Sequence, residues 1–407
     1  AAIIPLWSDR GAWLALDSDG YFLGGLFLST LSLCLVGLVD DRWGIRGRQK
    51  LLGQIFAAGL LVAFGMRIDR FEIFGVTFEL GIMAWPLTVC WLLGAINAVN
   101  LLDGMDGLAT SIGMVLSLAI AVMAQMAGHP TEAFLALALA GALAGFLFYN
   151  SPPASIFLGD AGSMIIGLIL GALAIRSSLK GPASAVLAAP TAILAIPIFD
   201  VTMAILRRRL TGRSIYTTDR GHLHHSLQER GLSDRKILVL VGGACALTGA
   251  GATLSVYMDN EWMAYAAIFA VLGVFVATRL FGHHECILLV KRIKAFVRSL
   301  FPRFTRPESD TNHNIQTRLR GDRQWEELWE SLTTYGERFD LDSLDLNVSL
   351  PGIGEEFHAT WRRNGLVAEE GQAWYCDVPL RANGLAVGRL RFMGKTGTED
   401  VFTHISE

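Results

Sequence analysis

The feature that most constrains this chain is a succession of long, nearly chargeless apolar runs separated by short polar segments. About 20 apolar residues in helical form cross a hydrocarbon core, fewer where neighbouring helices or thinned lipid help. Nine runs qualify, at 22–39, 51–66, 80–96, 108–127, 133–149, 161–175, 183–206, 237–258 and 262–278. The fold class expected is an all-α polytopic membrane protein of about nine transmembrane helices, followed by a small strand-rich α+β domain. With 52% of its 407 residues hydrophobic and 17% charged, the chain lies outside the composition of ordinary soluble domains.

The charges are confined to particular connections. Counting crossings from the first run places 40–50, 97–107, 150–160, 207–235 and everything after 279 on one face. That face holds Arg42, Arg46, Arg48, Lys50, Arg207, Arg208, Arg209, Arg213, Arg220, Arg230 and Arg235. The opposite loops offer Arg10, Arg67, Arg70, Arg176 and Lys180. The excess marks the first face as cytoplasmic.

Four regions are expected. Residues 1–21 form a loop after an N-terminal part that we expect to precede Ala1, and 22–280 form the membrane domain. Residues 281–313 form a basic interfacial helix, with Lys291, Arg292, Lys294 and Arg298 among apolar residues, and a polar linker. Residues 314–407 form a soluble cytoplasmic domain of unassigned role, with an amphipathic stretch at Trp325, Leu328, Trp329 and Leu332. Alternating stretches at 344–348 and 388–392 then read as strands, with turn signals at Pro351-Gly352 and Asn383-Gly384. Cys34, Cys90, Cys245, Cys286 and Cys376 have no paired spacing and read as packing residues.

The chemistry-bearing residues all fall on the cytoplasmic face. Asp40 and Asp41 are adjacent at the end of the first run, with Lys50 nine residues after Asp41. Two neighbouring carboxylates repel one another, so the pair favours a nearby cation or a raised pKa on one member. In Asn97, Asn100, Asp103 and Asp106 an oxygen recurs every third residue, and Gly104 and Gly107 follow the aspartates. Such oxygens are the hard ligands that magnesium accepts while keeping water and substrate phosphate in its shell. Asp160 opens the sixth run in Gly159-Asp160-Ala161-Gly162-Ser163 and reads equally as a helix cap or as part of a phosphate site. His222, His224 and His225 follow Asp219-Arg220-Gly221 in the longest cytoplasmic loop. No cysteine accompanies them, so cationic and donor groups gripping a diphosphate are the better reading than zinc. Asp200, within Pro197-Ile198-Phe199-Asp200, either supports this loop or caps or neutralises the arginines.

In order, spacing and shared face, these segments resemble the polyprenyl-phosphate N-acetylhexosamine-1-phosphate transferases over about residues 21–280. The Asp-Arg-Gly-His-Leu-His-His form is similar to the bacterial branch using UDP-N-acetylglucosamine, the donor alternative being UDP-N-acetylmuramoyl-pentapeptide. The family's proline-threonine-proline-arginine-x-glycine-glycine loop is not found here, and the tail from about 311 departs from its pattern. The resemblance implies transfer of a sugar 1-phosphate from a UDP-sugar to undecaprenyl phosphate with release of UMP. It implies a magnesium cofactor, with manganese as a substitute, held by Asn100 and Asp160. Asn97, Asp103 and Asp106 become substrate-binding residues. Asp40 or Asp41 becomes the general base or nucleophile, and Lys50, His222, His224 and His225 hold the diphosphate and balance the leaving charge. Expected partners are the UDP-sugar, polyprenyl phosphate and membrane lipid, with a homodimer as an open alternative and no nucleic acid. A transporter would carry its acids near the midplane, whereas these lie at run ends.

Overall fold

The computed structural model describes residues 19–73, 76–181, 184–210, 221–283, 285–287, 289–290, 293, 312–320, 325–350, 355–363, 373–382 and 385–395. The expectations placed on Ala1, Arg10, Arg213, Asp219, Arg220, Lys291, Arg292, Lys294, Arg298, Pro351-Gly352 and Asn383-Gly384 lie outside the described residues. The chain divides into two units, one drawn from Ala1–Ile205 and Tyr216–Phe281, the other from Leu206–Ile215 and Gly282–Glu407.

In the first unit, α1 (Gly20–Trp43) and α2 (Gly47–Ala63) are joined by a tight turn. Gly44 ends α1 at φ 64°, with its N–H on the Asp40 carbonyl, while the Asp40 side chain accepts the Ile45 N–H at 3.0 Å. The order continues with α3 (Ala84–Leu102), α4 (Leu108–Ala127), α5 (Pro130–Asn150), α6 (Gly159–Arg176), α7 (Ala188–Ile193), α8 (Ala195–Leu210), α9 (Leu223–Glu229), α10 (Asp234–Tyr257) and α11 (Glu261–Ala277). Among the described residues six helical stretches are long and apolar enough to cross a membrane: α1, α3 with the 3-10 turn before it, α4, α5, α6 and α10. Their outward side chains include Phe27, Leu35, Leu118, Leu247 and Leu254, all exposed. Such a surface is costly in water and suits lipid, as in a membrane protein.

The remaining three expected runs take other forms. α2 has 17 residues, and Arg48 and Lys50 occupy its first turn. α11 is apolar but also short. The run at 183–206 is broken into α7 and α8 at Leu194, whose N–H bonds the Pro190 carbonyl. Asn97 and Asn100, expected in a connecting segment, lie in the last turns of α3.

Strands β1 (Arg70–Ile73) and β2 (Val76–Glu79) lie between α2 and α3, and β3 (Leu179–Gly181) and β4 (Ser184–Val186) between α6 and α7. They join in one sheet of order β2-β1-β4-β3, with β1 and β4 parallel. The Phe71 and Phe78 rings stack across β1 and β2 at 5.0 Å. From sequence β1, β2 and β3 fall in plain loops and β4 falls inside the apolar run expected at 183–206, because strands of three or four residues give too little alternation to register.

At the sheet end of α6, Arg176 bonds Glu132 of α5 at 2.5 Å and Asp19, the residue before α1, at 3.0 Å. Its guanidinium also lies 4.0 Å from the Phe22 ring centroid. α6 packs against α1 and α3 along its length, with Met164, Leu168, Leu170 and Leu173 fully buried.

The second unit contains β5 (Asn312–Arg320), α12 (Trp325–Arg338), β6 (Ser343–Leu350), β7 (Glu355–Arg363), β8 (Ala373–Ala382) and β9 (Leu385–Lys395). The strands form an antiparallel sheet of order β5-β7-β6-β9-β8. Alternate residues Leu344, Leu346 and Val348 meet Phe357, Ala359 and Trp361 and pack with Trp329 of α12 into one core. The strand-rich tail and the amphipathic stretch are as the sequence pattern requires. Also in this unit, Arg207 and Glu285 form a buried ion pair at 2.6 Å. The described residues 283, 285–287, 289–290 and 293 of the expected interfacial segment are helical.

Candidate active site

Four elements bring the acidic motifs together: the end of α1, the first turn of α2, the end of α3 and the start of α6. Lys50 is the hub. Its ammonium lies 3.1 Å from Asp40 Oδ2 and 2.7 Å from Asp160 Oδ1, joining two acids 120 positions apart. Asn100 Nδ2 donates to Asp160 Oδ1 at 2.5 Å and to Ser163 Oγ at 2.9 Å. The paired aspartates have different tasks, since Asp40 faces Lys50 while Asp41 caps α6. The Asp41 carboxylate accepts the backbone N–H groups of Asp160 at 2.9 Å and Ala161 at 3.3 Å. Free N–H groups and the positive end of the helix dipole favour an anion there. Gly159, at φ 67°, opens α6 where a Cβ would fall 2.8 Å from Asp41 Oδ2.

The asparagine and aspartate series divides in the same way. Asn97 turns to Gln54, donating to its Oε1 at 2.8 Å, and to the Leu93 carbonyl at 2.8 Å. Gln54 is buried on α2 and also approaches Met164 sulfur at 3.3 Å. Sequence reading passed over Gln54, although an uncompensated amide inside an apolar run was the available signal. Asp103 follows the last turn of α3. Burial, with the charges of Asp160 and Asp41, pushes its carboxyl up to about 7. Asp106 accepts the Ala154 N–H at 2.9 Å and so holds the connection between α5 and α6. Asn150 holds that connection too, accepting from Thr110 at 2.7 Å and donating to the Ile156 carbonyl at 2.9 Å.

The histidines are placed by α8 and α9. Asp200 is fully buried, with Oδ2 3.0 Å from His222 Nδ1 and Oδ1 accepting the Leu223 N–H at 2.8 Å. His224 is 1% exposed, and neither ring nitrogen has a partner. Burial, then the neighbouring His225, lowers its pKa to about 4, so the ring is neutral at pH 7. Its Nε2 lies 2.5 Å from where a Cβ on Gly104 would stand, which brings the histidine segment against the Asp103-Gly104 turn. The His224 and His225 rings are 4.1 Å apart.

Among the described residues no three His, Cys, Asp or Glu side chains converge as a metal cage. The donors at the hub are instead the carboxylate of Asp160 and the amide of Asn100, beside Asp103, whose pKa is raised by burial and then by the charges of Asp160 and Asp41. That set fits a hard divalent cation which takes few protein ligands and leaves positions for water and phosphate.

A sequence profile described as Glycosyl transferase family 4 matches residues 23–178, a stretch that holds Asp40, Asp41, Lys50, Asn97, Asn100, Asp103, Asp106 and Asp160. The chain is 39% identical over 211 residues to a Bacillus subtilis (strain 168) protein named "Probable undecaprenyl-phosphate N-acetylglucosaminyl 1-phosphate transferase", covering 51% of this chain and 59% of that relative. It is 35% identical over 280 residues to the decaprenyl-phosphate N-acetylglucosaminephosphotransferase of Mycolicibacterium smegmatis, covering 63% and 67%. It is 34% identical over 241 residues to the phospho-N-acetylmuramoyl-pentapeptide-transferase of Shouchella clausii, covering 55% and 72%.

Proposed function

Since this chain belongs to the polyprenyl-phosphate sugar-phosphate transferases of glycosyl transferase family 4, we propose that it moves N-acetylglucosamine 1-phosphate from UDP-N-acetylglucosamine to undecaprenyl phosphate. The observation that carries the reading is the convergence of Asp40, Lys50, Asp160 and Asn100 on one hub, with Asp41 fixing the helix that bears Asp160. The sugar preference draws on the relatives named for N-acetylglucosamine, at 39% and 35% identity. The muramoyl-pentapeptide relative, at 34%, makes its nucleotide the competing donor. In the chain as given, activity belongs to a polypeptide spanning about 59% of the first relative's length.

In the reaction an oxygen of the lipid phosphate forms a bond to the β phosphorus of the nucleotide sugar. The bond from that phosphorus to the bridging oxygen breaks, and its electron pair leaves with UMP. Phosphoryl transfer asks chiefly for positioning and charge stabilisation. Lys50 places a cation between Asp40 and Asp160, within reach of an incoming phosphate. Asp40 takes the proton of the lipid phosphate. Asp41, engaged with two backbone N–H groups, is better suited to holding α6 than to attacking phosphorus. Asp103 and Asp106 flank the turn assigned to the nucleotide. Asn97, turned to Gln54, shapes the wall behind it. His222, His224 and His225 close the leaving-group side. Asp160 and Asn100 would hold magnesium, or manganese, which when bound neutralises diphosphate charge and draws density from the reacting phosphorus.

The finer topology is part of the same reading. Nine crossings result if α2, the α7–α8 pair and α11 join the six long helices. The arginine-rich connections support a cytoplasmic site in a bacterial inner membrane, where the product would start a lipid-linked glycan of the cell wall or lipopolysaccharide. The deciding experiment is UMP release by the purified chain, requiring both undecaprenyl phosphate and magnesium. Turnover with UDP-N-acetylglucosamine and not with UDP-N-acetylmuramoyl-pentapeptide is the expected result, and silence with both overturns the reading.

A further inference from the structure

Asp200 is a more elaborate device than a helix cap requires. Capping the Leu223 N–H needs one acceptor oxygen, which an uncharged side chain supplies as well. Here a carboxylate is buried completely, at a cost that demands a partner for its charge. Its second oxygen meets His222 Nδ1 at 3.0 Å. A carboxylate on Nδ1 keeps a proton on that nitrogen, fixes the ring orientation and leaves Nε2 as the nitrogen free to meet a ligand. Other groups act on this pair from both sides. His224 and His225 on α9 oppose a second positive charge, and Asp103 flanks Gly104, against which His224 packs. His224 is itself neutral at pH 7.

We infer that Asp200 is a positioning residue for the transfer, holding the His222 ring oriented so that Nε2 faces the departing phosphate. This inference rests on the transferase reading. It separates two of the histidines by task, with the Asp200-paired His222 serving the leaving group and the neutral His224 serving as a spacer against Gly104.

The test is the kcat and KM of UMP release from UDP-N-acetylglucosamine, with undecaprenyl phosphate and magnesium, for the full chain and for Asp200→Asn. The asparagine retains an oxygen for the Leu223 N–H but removes the negative charge and presents an amide donor to Nδ1. With a donor facing Nδ1 the ring loses its fixed orientation, so kcat should drop at least about tenfold, with the KM for the nucleotide sugar nearly unchanged. Equal kcat for the two proteins overturns the inference, as does a loss of kcat accompanied by a lower unfolding temperature, which marks a purely structural role. His222→Gln provides the second arm: it should lower kcat at least as far, and adding Asp200→Asn to it should cost nothing more, whereas additive losses overturn the inference. A wild-type chain that releases no UMP removes the transferase reading beneath it and is told apart by that silence.

Discussion

The Asp41 carboxylate grips the backbone N–H of Asp160 at 2.9 Å, across 119 positions of sequence. The carboxylate most exposed to being taken for a nucleophile is thus engaged with the helix that presents another acid of the site. Asp41→Asn leaves one acceptor oxygen but removes the charge from the start of α6. It is expected to abolish UMP release and to lower stability by about 1 kcal/mol, in the range of lost helix caps. The checks are turnover and thermal unfolding in detergent. Full turnover would show that α6 needs no anion at its N-terminus.

Lys50 balances Asp40 and Asp160 at once. Lys50→Met should leave the chain folded and reduce kcat by about a hundredfold or more, because a group placed to offset phosphate charge is commonly worth that much. Lys50→Arg should recover only part, since a planar guanidinium does not reproduce a compact ammonium held between two carboxylates. Steady-state kinetics of both variants decide this, and equal rates for all three proteins would remove Lys50 from the reaction.

Gly104 is predicted to tolerate no side chain while His224 is present. In Gly104→Ala the new methyl falls against a fully buried ring, an overpacking of the kind that costs about 1–3 kcal/mol. Adding His224→Ala should return much of the lost stability. Thermal unfolding of the two single variants and the double variant measures the coupling, and strict additivity would show that the residues do not press on each other.

Asp103 gives stability a pH dependence of defined sign. Its carboxyl is raised to about 7 in the folded chain, from an ordinary value of 3.8. Between those values the folded state binds more protons than the unfolded one, so this contribution is complete below the lower value and is lost as pH rises through the upper. Unfolding temperature should therefore decline from about pH 4 to 7 more steeply in the wild type than in Asp103→Asn. Magnesium should flatten the wild-type slope by offsetting the charges of Asp160 and Asp41. Parallel slopes with and without the substitution would count against this account.

Much of this arrangement was legible before the fold. Apolar runs long enough to span lipid mark the helices, and adjacent carboxylates at a run end favour a nearby cation, so Asp40, Asp41 and Lys50 stand out, while Asn100 and Asp160 take their metal role from the resemblance. What sequence withheld was pairing. Nothing near Asp41 announces that its partner is the first turn of α6, and both readings of Asp160, as a cap and as a site residue, were open because capping is done by a carboxylate from elsewhere. Asn97 kept the spacing of the series and yet turns to Gln54, since its place on α3 faces α2. The break at Leu194 was hidden because α7 and α8 are both apolar, so composition does not change where the helix ends. The parallel pairing of β1 with β4 joins segments over 100 residues apart, which no local pattern records.

α6 is tied to α1 at both extremities: Asp41 seizes its first turn, and Arg176 in its last turn reaches back to Asp19, just ahead of α1. A rod pinned at two points can neither slide nor swivel against its neighbour, so the height and bearing of Asp160 are set by the spacing between Asp19, just ahead of α1, and Asp41 near its far end. Insertion or deletion of a single residue in either helix would throw one pin out of reach. The two helices therefore form a matched gauge, and grafting one into a relative without its mate should misplace Asp160 even if every residue around the hub were kept.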